Sequence, residues 1–118
     1  MFPQRSGRLA HELQQEIAQI IQRELKDPRV GFITVTQVEL SKDGSHAKVF
    51  FSCLGGEAAV QQAQDVLDHS AAFIRTLIKK RFRLKVIPAL AFRYDEMIER
   101  SIRMAETLDE LKRRDEDA

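Results

Sequence analysis

The chain has 118 residues, 43% hydrophobic and 31% charged, with a formal net charge of +1 and a single cysteine. That length suits one domain with one core, and the composition is that of a globular chain rather than a disordered one. No apolar run approaches the roughly 20 residues a membrane-spanning helix needs, MFPQRSGRLAHEL lacks a signal-peptide core, and Cys53 alone cannot form an intrachain disulfide, so a reducing, cytoplasmic setting is expected.

Ser6 is placed to cap a first helix. Leu9, Leu13, Ile17, Ile20, Ile21 and Leu25 follow at spacings of three and four and predict an amphipathic helix over residues 7–26. Asp27-Pro28 ends it, because the residue before proline is pushed out of the helical region. GFITVTQVELS reads as a strand. Its apolar alternation slips by one near Thr36-Gln37, where a β-bulge would restore a single buried face. SKDGS is a turn with Asp43-Gly44 at its tip. HAKVFFSC returns antiparallel, with Ala47, Val49 and Phe51 on one face.

Gly55-Gly56 breaks the chain before a second apolar stripe: Val60, Ala63, Leu67, Ala71, Ile74, Leu77 and Ile78. It predicts a helix over residues 57–80, which unbroken would span roughly 36 Å. A domain this size has a radius of gyration of about 13 Å. A bend or break is therefore expected, at Ser70-Ala71-Ala72. VIPALAFRY is a third strand, with Pro88 at its start or edge. Ile98, Ile102, Ala105 and Leu108 mark a last helix over residues 95–112, begun by Asp95 and Glu96, and RRDEDA looks solvated. The expected organisation is one domain over 1–112 and a disordered tail over 113–118. The class is α+β, with helices covering a three-stranded sheet. With no apolar stripe beyond the core faces, a monomer is expected.

Catalytic patterns are missing. His11, His46 and His69 fall on different elements without metal-ligand spacing, and one cysteine makes none of the usual zinc sites. The glycines form neither a P-loop nor a dinucleotide fingerprint. Cys53 with His69 as a nucleophile pair is the residual enzyme reading, against a small buried hydrophobe at a strand end. No enzyme, metal or cofactor is expected.

The charge distribution is more informative. Arg75, Lys79, Lys80, Arg81, Arg83 and Lys85 crowd into residues 75–85 without an acid, leaving −5 on the rest of the chain. Cations near a helix C-terminus suit its dipole, which accounts less well for Arg83 and Lys85 beyond the helix. If the segment is extended, Arg81, Arg83 and Lys85 share its outer side while Phe82, Leu84 and Val86 anchor it to the core. Phosphate contacts to a nucleic acid fit best. A solvated face, or an acidic protein or membrane surface, is the alternative. Phe82 is a candidate base-stacking aromatic, though core packing suits it better.

R-x-x-R-L near the start (Arg5, Arg8, Leu9), DPRVGFITVTQVELSKDGSHAKVFFS, and SAAFIRTLIKKRFRLKVIPALAFRYDE with a short C-terminal helix together resemble the ribosome-binding factor A family over nearly all of the chain. The resemblance implies a type II KH-like fold, α-β-β-α-(kink)-α-β, without the GXXG loop of ordinary KH domains; no two glycines here are three apart. The family's Ala-x-Gly helix kink falls on Ser70, Ala71 and Ala72, with serine for alanine and alanine for glycine. It further implies a non-catalytic bacterial assembly factor. Such a factor binds 16S rRNA near the decoding region and neck of the immature 30S subunit, promotes late maturation and rRNA processing, and matters most in the cold. Its release would involve an assembly GTPase and initiation factor 3. The implied rRNA-binding residues are Arg75, Lys79, Lys80, Arg81, Arg83 and Lys85, followed by Arg5, Arg8 and Arg29.

Overall fold

The computed structural model describes residues 2–96, with side chains from residue 7. The expected C-terminal helix and tail lie outside the described residues from residue 97 onward. Helix α1 spans Phe2–Arg23. It begins before Ser6, so Ser6 sits within the helix rather than capping it. Pro3 occupies the first turn, where a missing N–H leaves no bond unmade. The helix also stops short of Lys26, closing through Glu24 N–H to the Ile20 carbonyl at 2.8 Å. Asp27 is then extended (φ −102°, ψ 125°), as a residue before proline must be, and its carboxylate caps a short 3-10 turn over Pro28–Phe32. Gly31 and Phe32 belong to that turn, so strand β1 covers Ile33–Leu40 rather than starting at Gly31.

Strand β2, His46–Cys53, pairs antiparallel with β1, and the register shifts between Val35 and Gln37. Thr36 is the extra residue, and the expected bulge is present. It brings Ile33, Val35 and Val38 to one buried face. Thr36 is held at both ends: Gln14 Nε2 donates to its carbonyl at 3.2 Å, and its hydroxyl donates to Asp95 Oδ2 at 2.6 Å, across the central strand. Gly44 at the hairpin tip has φ 75°, the left-handed region where a side chain would be strained.

Strand β3, Ala89–Tyr94, lies parallel to β2 and completes the order β1-β2-β3. Buried Pro88 immediately precedes it, where no ladder N–H is required. Leu13, Ile17, Ile20 and Ile21 from α1 and Leu67, Ile74 and Ile78 from the second helix meet Ala47, Val49, Phe51 and Phe92 in one core. Phe51 and Tyr94 add an edge-to-face pair at 5.9 Å. Glutamines satisfy carbonyls of the outer strands: Gln22 reaches Ile33 at 3.0 Å, and Gln64 reaches Phe92 at 2.9 Å.

The second helix, α2, runs uninterrupted from Gly56 to Arg81. Of the bend or break expected at Ser70-Ala71-Ala72, a break is not there. No proline removes an N–H, and alanine is the strongest helix former, so these residues have no local reason to interrupt the ladder. Nor does the core require a break. Ala63, Val66, Leu67, Ile74 and Ile78 stay buried on either side of the segment.

Candidate nucleic-acid interface

The last three turns of α2 and the loop to β3 carry the basic cluster. Between Asp68 and Asp95 the chain has no acidic residue at all. The structure sorts the six clustered cations into two groups. Lys79, Lys80, Arg83 and Lys85 are exposed, and among the described residues nothing pairs with them. Arg75 and Arg81 are committed internally. Arg75 donates from Nε to the Pro88 carbonyl at 3.2 Å and from Nη2 to that of Ile87 at 2.9 Å, pinning the loop against α2. Arg81 reaches across to α1, pairing with Glu16 and, at 3.1 Å, with Glu24. The Glu16 hydrogen bond, then that from Glu24, raises its already high pKa.

Arg81 therefore does not alternate with Arg83 and Lys85 along an extended segment: α2 continues through it, and the chain becomes extended only at Phe82 (φ −118°, ψ 144°). Phe82 and Leu84 are both partly buried, as the alternation requires, and Phe82 packs against the core rather than standing as an exposed ring. Val86 breaks the pattern and is 47% exposed. Arg83 and Lys85 do project outward from this anchored loop.

The second-rank arginines divide similarly. Arg8 is exposed on α1 without a described partner. The Arg5 side chain lies outside the described residues. Arg29 is tied to Asp27 through two side-chain bonds of 2.9 and 2.7 Å. That pairing, with the Arg29 backbone N–H, holds the Asp27 carboxyl down at about 2.

The enzyme reading gains nothing here. Burial pushes the Cys53 thiol pKa up, away from nucleophilic thiolate, and Sγ meets only the backbone carbonyls of Leu54 and Ala59. His69 Nδ1 is bound to the Asp65 carbonyl at 2.7 Å. Among the described residues no group of His, Cys, Asp and Glu is placed to hold a metal ion, and no helix is long and apolar enough to cross a membrane. Asp95, expected at the start of a helix, immediately precedes the helical Glu96 and is buried, its carboxylate accepting from the Thr36 hydroxyl.

Residues 5–108 match the family model for ribosome-binding factor A. The chain is 47% identical over 106 residues to ribosome-binding factor A of Nitrosospira multiformis, covering 90% of this chain and 84% of the relative. It is 45% identical over 116 residues to that of Desulfitobacterium hafniense, covering 98% and 93%. The crystal structure of ribosome-binding factor A from Thermus thermophilus superposes with a TM-score of 0.68 at 30% identity, covering 75% of this chain and 94% of that one. A homology model of Thermus thermophilus ribosome-binding factor A, fitted into the cryo-EM map of its complex with 30S, gives 0.60 at 31% identity, covering 71% and 88%. The fold is KH-like, as in these structures.

Proposed function

Because the chain belongs to the ribosome-binding factor A family, we propose that it is a non-catalytic assembly factor that binds 16S rRNA in the immature 30S subunit. The observation that carries this reading is the anchored basic face. Four cations without a partner among the described residues stand on a helix end and loop held by core packing and Arg75. Fixed cations of this kind contact phosphates and position a protein on RNA. The relative seen in a 30S complex supports the same partner. In this reading Lys79, Lys80, Arg83 and Lys85 make the principal contacts, Arg8 and Arg5 extend them along α1, and Arg75, Arg81 and Arg29 chiefly hold the surface in shape.

The finer role follows the family resemblance: late maturation and rRNA processing near the decoding region and neck, cytoplasmic, most needed in the cold. Release would depend on an assembly GTPase and initiation factor 3. The test is co-sedimentation with 30S, 50S and 70S particles at two salt concentrations. Salt-sensitive binding selective for 30S, and lost in Lys80→Glu/Arg83→Glu, is the expected result. Absence of 30S binding at low salt would refute the function. Undiminished binding by the double variant would refute the site.

A further inference from the structure

The basic face offers one aromatic ring, and it is not Phe82. Four large apolar side chains are exposed among the described residues: Phe32, Leu54, Phe73 and Val86. Phe32 and Leu54 flank the paired Ile33 and Cys53 at one end of the hairpin, away from the cation cluster. Phe73 is 46% exposed and stands on α2, within the acid-free stretch. His69, Phe73, Thr76 and Lys80 follow one another at spacings of four, three and four and share an outer strip of the helix, all but Phe73 polar. Lys80 lies two turns from Phe73, about 10 Å along the axis. One turn before Phe73, His69 and Ser70 line an open cleft shared with Lys26, Arg29 and Asp65. The His69 ring is fixed by Nδ1–H donation to the Asp65 carbonyl, which turns Nε2 away from that bond.

We propose that Phe73 is a stacking platform for an unpaired RNA base, with Lys80 holding a neighbouring phosphate. This rests on the rRNA-binding reading and adds the kind of RNA bound: a single-stranded or bulged element rather than continuous duplex. Duplex RNA buries its base faces in its own stack and would leave Phe73 against water. A protruding base covers the ring while its phosphates meet the adjacent cations, combining the two interactions typical of single-strand sites. An acidic protein would meet the cations equally well, so the test separates the two.

The experiment measures binding of wild type, Phe73→Ala, Phe73→Leu, Phe73→Tyr and Lys80→Gln/Arg83→Gln to purified immature 30S subunits and to protein-free 16S rRNA across a salt series. Circular dichroism confirms folding of each variant. Phe73→Ala and Phe73→Leu should bind both targets about 5- to 150-fold more weakly. Their salt slopes should stay unchanged, and Phe73→Tyr should retain wild-type affinity. The charge variant should instead lower the slope. Wild-type affinity in Phe73→Ala with loss in the charge variant overturns the platform and leaves the basic face standing. Wild-type affinity in Phe73→Leu shows a merely apolar contact and also overturns it. Loss on 30S with no change on free rRNA assigns Phe73 to a ribosomal protein instead. If wild type binds neither target, both readings fall.

Discussion

Consider Lys80→Gln/Arg83→Gln, which removes two of the four exposed cations of the cluster that have no partner among the described residues, without adding negative charge. Each phosphate neutralised contributes a slope of about −0.7 for single-stranded and −0.9 for duplex nucleic acid when log K is plotted against log salt. Four contacts give a slope of about −2.8 to −3.6, so raising salt from about 50 to 200 mM should weaken wild type by about 50- to 150-fold. With two contacts the slope falls to about −1.4 to −1.8, and the same change weakens binding by only about 7- to 12-fold. At about 0.1 M salt the variant should bind about 25- to 60-fold more weakly than wild type. The assay is fluorescence titration against 30S subunits over the salt series. The control is Lys48→Gln/Arg93→Gln, which removes two exposed cations from the sheet face opposite the helices, where Lys48 and Arg93 alternate with buried Val49 and Phe92. An unchanged slope in the Lys80/Arg83 variant, or an equal fall in the control, would refute the assignment of the basic face.

Arg75→Ala should lose about 1–3 kcal/mol of stability, since the Ile87 and Pro88 carbonyls lose a charged donor. Arg75→Lys should recover only part, because an ammonium cannot reproduce the fork; urea denaturation measures both. Ala72→Gly should cost about 1 kcal/mol in the same assay, as glycine does in an exposed helix interior, whereas a neutral or stabilising effect would contradict the continuous α2. Asp43 has its carboxyl held down at about 2, first by the Ser45 hydroxyl, then by the Ser45 backbone N–H and Ser41. A depressed folded pKa contributes stability that is complete above the unfolded value near 4 and lost as pH falls toward about 2. The stability gap between wild type and Asp43→Asn should therefore close across that window, and a gap constant from pH 5 to 2 would exclude the effect.

Local patterns carry much of this molecule. The apolar stripes of α1 and α2, the slip at Thr36-Gln37 that marks the bulge, and Asp43-Gly44 at the turn are all legible in order along the chain, because each depends on neighbours within a few residues. The density of positive charge after Asp68 is equally plain in the sequence. The helix ends and the continuity of α2 were less legible. A length argument placed a bend or break at Ser70-Ala71-Ala72, while helix-favouring residues and core burial on both sides keep the ladder unbroken. Which cations are free was decided only by tertiary structure. Arg81 finds Glu16 on α1 and Glu24 just past its end, and Arg75 finds carbonyls at the far end of the loop. Phe82 packs against the core while Phe73, off the apolar stripe of α2, keeps an open face. A side chain's charge or ring is written in the sequence, but its partner is chosen by what folding brings within a few ångströms, and that is set by the packing of segments distant along the chain.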